Sequence, residues 1–204
     1  MPVVVVANPK GGVGKSTLST NVAGYFASKG HRVMLGDADR QQSSRLWLGL
    51  RPPTARPIAT WDVGEDRLGK PPKGTTHVVL DTPGGLKGSH MKDVLRHADK
   101  VIVPLQPSVF DIFATRTFLD QLQQHRHPGL QIGIVGMRVD GRTIAADKLR
   151  EFVDSLGLPV LGYLRDTQNY IHLAAHGLTL FDVAPSRVEK DLEQWQGICR
   201  WLDA

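Results

Sequence analysis

Short apolar runs alternate with amphipathic stretches along most of the chain. The first run, residues 3–7, is continuous and β-branched, which is typical of a strand buried on both faces. In the next stretch, 15–29, apolar residues recur at helical spacing until Gly30, a residue that commonly follows the last turn of a helix. The alternation then predicts strands at 32–35, 77–81, 99–105, 131–137 and 159–163, and helices at about 41–48, 89–98, 108–125, 143–156, 167–176 and 187–202.

Strands that alternate with helices predict an α/β fold, with a single doubly wound, mostly parallel sheet and helices on both of its faces. Only residues 49–76 interrupt the alternation. They are rich in proline and glycine, so we interpret them as a surface loop region with one short helix around 61–68. We find no repeat and no low-complexity tail, and we therefore expect one domain over residues 1–204.

Composition narrows the class of protein. An apolar content of 41% and a charged content of 22% are ordinary for a soluble globular domain. The one cysteine, Cys199, excludes a disulfide framework and any cysteine-cluster metal or iron–sulfur site within one subunit. The N-terminus has no basic segment before its short apolar run, so we expect neither a signal peptide nor a membrane span, and we expect a cytoplasmic location.

Positive charge is concentrated in the first half of the chain. Residues 1–100 hold 15 Lys and Arg against 8 Asp and Glu, whereas residues 101–204 hold 10 against 12. A basic surface of this kind could attract a polyanion weakly, but it could equally belong to a protein that has no such partner.

The strongest motif is NPKGGVGKST at 8–17, which lies between the first predicted strand and helix. Glycines there allow backbone N–H groups to point at phosphate oxygens, and the helix adds its positive N-terminal end. Lys15 should reach the β- and γ-phosphates, and the Ser16 hydroxyl should hold Mg²⁺. The residues expected to contact the nucleotide are Gly11, Gly12, Val13, Gly14, Lys15, Ser16 and Thr17. The alternative is a glycine-rich turn without a ligand.

Two acidic sites should complete this nucleotide site. Asp37 and Asp39 follow the second strand, and side chains two apart on an extended chain share a side. One of them should orient Mg²⁺ or its waters and the other could position the attacking water; the alternative is that Asp39 caps the next helix. Asp81 ends an apolar strand, which is the arrangement of a Walker B carboxylate. Such a carboxylate holds the Mg²⁺ shell. Gly84 and Gly85 would let the following segment rearrange when the γ-phosphate leaves.

One lysine has no evident use in its own site. Pro9 stands where the first glycine of a P-loop is expected, and Lys10 follows it. Lys15 and the loop N–H groups already surround the phosphates, so Lys10 at the rim could instead reach a nucleotide held by a neighbouring subunit. It would then neutralise charge in trans, as an arginine finger does. The sequence thus predicts a homodimer that forms with ATP.

The pattern Lys10-Gly-Gly-x-x-Lys15-Ser16 is a deviant Walker A motif. With Asp-x-Asp at 37–39 and DTPGG at 81–85, the sequence resembles the ParA/MinD family of P-loop ATPases over nearly the whole chain. The resemblance implies ATP and Mg²⁺ as cofactors, slow hydrolysis and a stimulating partner protein. The implied catalytic residues are Lys10, Lys15 and Asp39, and the implied metal-site residues are Ser16, Asp37 and Asp81. Two departures from the family pattern leave the cargo open. Arg40 stands where family members that segregate DNA have proline, and DTPGG replaces DTPP.

ParA-like members bind nonspecific DNA, which implies association with the nucleoid. The matching candidates are Arg165, Arg187 and Lys190, each of which could equally be a solvated surface charge. Basic residues of the first half, such as Arg32, Lys92 and Arg96, could share the footprint. Met137 and Arg138, with backbone near 165–167, are our candidates for the adenine pocket.

Two alternatives remain at this stage. MinD-like members bind membranes through a basic amphipathic tail, but the charges of residues 188–203 are mixed, so we expect this stretch to pack on the sheet. A metabolic ATP-dependent ligase of the same fold would have less use for Lys10.

His125 and His127 end a helix, where cations suit the helix dipole, and we interpret them as caps rather than metal ligands.

Overall fold

A computed structural model, which describes residues 1–63 and 70–204, contains one sheet of seven strands. Every strand pair is parallel, so the predicted α/β class is confirmed. The strands are β1 (Val3–Val6), β2 (Val33–Asp37), β3 (Ile58–Trp61), β4 (His77–Asp81), β5 (Lys100–Leu105), β6 (Gln131–Gly136) and β7 (Val160–Tyr163), in the spatial order β3-β2-β4-β1-β5-β6-β7.

Helices connect the strands and agree with the predicted positions to within about two residues. They are α1 (Lys15–Ser28), α2 (Ser43–Leu50), α3 (Gly88–His97), α4 (Val109–Gln124), α5 (Ile144–Asp154), α6 (Gln168–Ala174) and α7 (Glu189–Asp203). Two short 3₁₀ turns, Leu180–Asp182 and Pro185–Arg187, precede α7.

Two apolar cores lie on opposite faces of the sheet. Alternate residues of a strand point to opposite faces, so Val5 of the fully buried β1 contributes to one core and Val4 to the other. The first core includes residues of α3, α4 and α5, and the second includes residues of α1 and α7. Helices therefore cover both faces, as the continuous apolar strands predicted.

One strand was missed. The interpretation of 49–76 as loop is wrong at β3, which pairs in parallel with β2 at the edge of the sheet. Ala59 and Thr60 are exposed and prolines precede the strand, so β3 shows neither the apolar run nor the alternation that marks a strand. The short helix predicted around 61–68 falls largely on residues 64–69, outside the described residues, and Trp61 itself belongs to β3.

The C-terminal helix packs on the sheet, as predicted. Trp195 and Ile198 are fully buried and Leu202 nearly so, all within the core that also holds α1. The helix approaches β7 closely: a Cβ added at Gly197 would lie 2.1 Å from the carbonyl oxygen of Leu161. In the ranges 1–63 and 70–204, no helix is both long and apolar enough to cross a membrane.

Candidate functional site

The parallel register brings the three motifs together at the carboxyl edge of the sheet. Asp37 at the end of β2 pairs with Asp81 at the end of β4, and Asp81 pairs with Val6 at the end of β1. The glycine-rich loop follows directly after β1. Ligands of open α/β sheets bind outside the carboxyl ends of the strands, and this edge holds a cavity of about 990 Å³.

Two glycines allow the loop to wrap this cavity. Gly12 and Gly14 adopt φ of 74° and 97°, a left-handed conformation that L side chains rarely take. Space is also restricted at Gly14, since an added Cβ would lie 2.6 Å from the Cε of Met137. Met137 is thus buried beneath the loop, and of the two adenine-pocket candidates only Arg138 lines the cavity.

A buried asparagine that the sequence analysis did not single out anchors the loop. The Asn8 Nδ2 donates to the carbonyl of Pro104 at 2.7 Å and to Thr115 Oγ1 at 3.2 Å. The Asn8 Oδ1 accepts from the backbone N–H of Lys10 at 2.8 Å. These bonds tie the start of the loop to β5 and α4 and fix the backbone N–H of Lys10. The only sequence signal was a polar residue directly after an apolar strand.

Lys15 lies inside the loop, in the position expected of a phosphate-binding lysine. Its Nζ donates to the carbonyl oxygen of Lys10 at 2.6 Å. Burial lowers the pKa of Lys15, and the nearby carboxylates of Asp81 and Asp39 partly oppose that shift. The ammonium therefore faces the acidic side of the cavity.

Asp81 is the most buried acid of the site. Its Oδ2 accepts from the Ser44 hydroxyl at 2.7 Å, whereas its Oδ1 has no hydrogen-bond partner among the described residues. Burial raises the pKa of Asp81 to about 6; the neighbouring hydroxyls of Ser16 and Ser44 oppose the shift, and the charge of Asp37 adds to it. A buried carboxylate oxygen without a donor is poised for a cation.

Asp37 caps α2, the helix that was predicted to begin after the first acidic site. Its Oδ2 accepts from the backbone N–H groups of Ser44 at 2.8 Å and Arg45 at 3.1 Å, and its Oδ1 accepts from that of Asp39 at 3.0 Å. The capping role considered for Asp39 thus falls on Asp37. Asp39 accepts from the N–H of Gln41 at 3.0 Å and lines the cavity.

These oxygen atoms suit magnesium, which prefers hard oxygen ligands and keeps several of its waters. Ser16 is the second residue of α1 and its hydroxyl is close enough to oppose the rise in the pKa of Asp81 that burial causes, and Asp37 lies next to Asp81 in the sheet. The donor set therefore fits Mg²⁺, with Ser16 and Asp81 able to hold the ion and Asp37 able to hold its waters.

The segment after Asp81 runs against the loop. Thr82 Oγ1 donates to the carbonyl oxygen of Val6 at 2.8 Å. A Cβ added at Gly84 would lie 3.5 Å from both the backbone nitrogen of Gly11 and the carbonyl oxygen of Pro9. Residues 82–84 thus lie beside the phosphate end of the cavity.

Lys10 points away from its own cavity. Its Nζ lies 3.4 Å from Asp111 Oδ1 on the first turn of α4, and its side chain is 41% exposed. Lys10 does not line the cavity, unlike Lys15. The geometry therefore separates the two lysines, with one directed into the site and one directed along the rim.

The three DNA-binding candidates have different environments. Arg165 Nε lies 2.6 Å from Oδ1 of the fully buried Asp191, whose Oδ2 accepts from Asn169. Arg187 and Lys190 are exposed near the start of α7. Arg165 thus has a structural partner, whereas the other two are free to face solvent.

Comparison with protein families gives a match over residues 4–180 to the CobQ/CobB/MinD/ParA nucleotide binding domain. Among curated proteins, the maintenance of carboxysome distribution protein A of Gloeobacter kilaueensis is 30% identical over 98% of this chain and 94% of its own length. The chromosome-partitioning ATPase Soj of Thermus thermophilus is 30% identical over 72% of this chain and 73% of its own.

Solved structures agree in fold. The MinC:MinD cell division protein complex of Aquifex aeolicus superposes with a TM-score of 0.76 at 18% identity, covering 99% of this chain and 95% of that one. Cobyrinic acid a,c-diamide synthase of Mycobacterium smegmatis, with bound ADP and magnesium, gives a TM-score of 0.66 at 25% identity, covering 95% of this chain and 97% of that one.

Proposed function

The chain belongs to the CobQ/CobB/MinD/ParA family of nucleotide-binding domains, and from this premise we propose that it is a single-domain, Mg²⁺-dependent ATPase. ATP binding drives formation of a homodimer that binds nonspecific DNA. Slow hydrolysis to ADP and phosphate, stimulated by a partner protein, releases the dimer. The cycle serves to position a large cargo on the nucleoid.

The placement of Lys10 carries this proposal. A monomeric P-loop enzyme needs one lysine at the phosphates, and Lys15 occupies that place. Lys10 is instead held at the rim by Asp111 and remains 41% exposed. A cation at this position is available to a nucleotide that faces it from a second subunit.

The glycine-rich loop and the acidic residues of the site have separate chemical roles in this proposal. The loop N–H groups and Lys15 bind phosphate oxygens, and Ser16 and Asp81 hold the ion whose charge offsets that of the phosphates. Asp39 orients the attacking water. Asp37 binds the first N–H groups of α2 beside Asp81 and contacts waters of the ion.

The cargo class rests on the relatives. The similar proteins are named for carboxysome distribution and for chromosome partitioning, two tasks that distribute a large object within a cell. Arg187 and Lys190 are exposed and available to contact DNA, as are Arg32, Lys92 and Arg96 of the first half of the chain. Nonspecific DNA offers a surface along which an ATP-switched dimer can redistribute cargo.

Binding of the purified protein to nonspecific duplex DNA tests the proposal. It is measured at fixed salt with Mg²⁺ and ATP, ADP or no nucleotide, beside the molecular mass and the release of phosphate. We expect DNA binding with ATP only, in the same conditions that give a dimer. A dimer that does not bind DNA would contradict the proposed DNA binding. DNA binding that is the same in all three nucleotide states would contradict its control by ATP.

A membrane-associated regulator, as in the MinD branch, is the second candidate. The apolar face of α7 is already buried against the sheet through Trp195 and Ile198, which leaves less of this helix for a lipid surface. ATP-dependent pelleting with anionic vesicles would favour the membrane candidate over the proposed DNA partner.

A metabolic ligase is the third candidate, and the similarity to cobyrinic acid a,c-diamide synthase favours it. A ligase would remain the same oligomer with or without ATP, and its ATP turnover would depend on a small-molecule substrate. ATP-dependent dimerisation without such a substrate would count against it.

A further inference from the structure

A second cavity, of about 400 Å³, opens at the amino edge of the sheet. Its wall is formed by residues 30–34 where β2 begins, by residues 56–59 where β3 begins and by residues 72–75 just before β4. The nucleotide cavity lies at the carboxyl ends of the same strands, and the two cavities share no residue. The second cavity, which we call the amino-edge cavity, is therefore not explained by the chemistry of the nucleotide site.

Much of the wall of the amino-edge cavity is apolar. Its apolar residues are Ala27, Val33, Met34, Pro57, Ala59 and Pro72. The first three of these are buried and belong to the end of α1 and to β2, so this part of the wall is built on regular structure. Sites for small organic ligands are mostly apolar and have volumes from about 300 Å³ upward. The size and the wall therefore suit a small organic molecule.

Three cations also line the amino-edge cavity, and no carboxylate balances them. Arg32, Arg56 and Lys73 are exposed there, and no Asp or Glu is among the described residues of the wall. Across residues 1–63 and 70–204, none of the three side chains forms a hydrogen bond or an ion pair. Gly74 leaves room for one of them, since an added Cβ would lie 3.1 Å from Nη1 of Arg32. Like charges around a concave surface concentrate a positive potential, which attracts an anion.

We propose that the amino-edge cavity binds a small organic anion, with the apolar body of the ligand against the apolar wall and its phosphate or carboxylate group among the three cations. The apolar body removes apolar surface of the wall from water. The anionic group relieves the repulsion among the cations, and a guanidinium group can give it two parallel hydrogen bonds. Inorganic phosphate would use the cations alone and leave the apolar wall in water. The inference does not depend on the proposed function, because the two sites lie at opposite edges of the sheet.

The test is a titration of ¹⁵N-labelled protein with 1-naphthyl phosphate, followed by amide chemical shifts. Saturating Mg²⁺ and ADP keep the probe out of the nucleotide site. We expect one binding site with a Kd below about 100 μM. The shifts should fall on amides within residues 30–34, 56–59 and 72–75 and not on the glycine-rich loop. 1-Naphthol, which lacks the charge, and inorganic phosphate, which lacks the apolar body, should each bind at least about tenfold more weakly.

Variants of two exposed cations separate the role of charge from that of the fold. Arg56→Ala/Lys73→Ala should raise the Kd for 1-naphthyl phosphate about tenfold and leave thermal unfolding unchanged, because neither side chain has a described partner. The charge-preserving pair Arg56→Lys/Lys73→Arg should stay within about threefold of the wild type. The matched control is Arg96→Ala/Arg126→Ala, which removes two exposed cations outside this cavity and should have no effect.

Several results would overturn the inference. They are no saturable binding of 1-naphthyl phosphate, shifts that fall outside the amino-edge cavity, and binding of 1-naphthol that is as tight as that of the phosphate ester. An unchanged Kd in Arg56→Ala/Lys73→Ala would do the same. Nonspecific duplex DNA that shifts the amides of this cavity where 1-naphthyl phosphate does not would assign the three cations to DNA and would also overturn it.

Discussion

The hydroxyl of Ser44 donates a 2.7 Å hydrogen bond to Oδ2 of Asp81, and the backbone N–H of the same serine donates to Asp37 at 2.8 Å. One fully buried residue at the start of α2 thus bridges both carboxylates of the candidate magnesium site. The bond occupies Oδ2 and leaves Oδ1 without a donor. We therefore propose that Ser44 is a positioning residue that leaves Oδ1 of Asp81 as the oxygen available to the ion.

Ser44→Ala should weaken magnesium-dependent nucleotide binding. Loss of the donor frees the Asp81 carboxylate to rotate, and outer partners of metal ligands typically contribute 10- to 100-fold in metal affinity. We expect the Mg²⁺ concentration for half-maximal binding of a fluorescent ADP to rise about tenfold. ADP affinity without Mg²⁺ should not change, and Ser44→Thr should restore most of the loss. Equal losses with and without Mg²⁺ would instead indicate a general disturbance of the cavity.

Asp81 should make the ligand-free protein less stable as the pH rises. Its pKa is raised from its ordinary value to about 6, so between about pH 4 and pH 6 the folded state binds more protons than the unfolded state. The free energy of unfolding should therefore fall through this range and remain low above it. Asp81→Asn removes the buried charge.

We therefore expect Asp81→Asn to stabilise the nucleotide-free protein by about 2 kcal/mol at pH 7 and by almost nothing at pH 4. Urea unfolding at the two pH values measures the difference. The same variant should lose Mg²⁺-dependent nucleotide binding. An Asp81→Asn protein that is less stable than the wild type at pH 7 would contradict the cost that we assign to the buried carboxylate.

Asp39→Ala should separate ATP binding from hydrolysis. Asp39 lines the cavity and its Oδ1 contacts only a neighbouring backbone N–H among the described hydrogen bonds, so its removal should disturb the fold little. We expect phosphate release to fall about 100-fold or more while the ATP-bound dimer accumulates. Phosphate release at the wild-type rate would remove Asp39 from its proposed role.

We expect Arg165 to affect stability, whereas Arg187 and Lys190 should affect DNA binding. Arg165→Ala leaves Asp191 buried without its cation, and we expect a loss of about 2–3 kcal/mol in the free energy of unfolding. Arg187→Glu/Lys190→Glu changes exposed charges only, so it should weaken DNA binding with little effect on stability. Thermal unfolding beside DNA binding at two salt concentrations distinguishes the two. A stable Arg165→Ala protein that loses DNA binding would return Arg165 to the DNA surface.

Sequence reasoning predicted those parts of the fold that local pattern determines. β1 and β4 are buried on both faces and were visible as apolar runs, whereas β3 is an edge strand whose exposed Ala59 and Thr60 give no such signal. In the site, Lys15 and Ser16 belong to a motif with fixed spacing, and Asp81 ends an apolar strand. The roles of Asn8 and Ser44 depend on contacts with residues 107 and 37 positions away, which no local pattern reports.

The most direct test of the account is the mass of the wild-type protein and of Lys10→Ala with Mg²⁺ and a non-hydrolysable ATP analogue, by size exclusion with light scattering. Lys87→Ala, at an exposed lysine just before α3, serves as the control. We predict that the wild type and the control become dimers, whereas Lys10→Ala remains a monomer that still binds ADP. If Lys10→Ala dimerises like the wild type, Lys10 does not act across the dimer and the central claim is wrong.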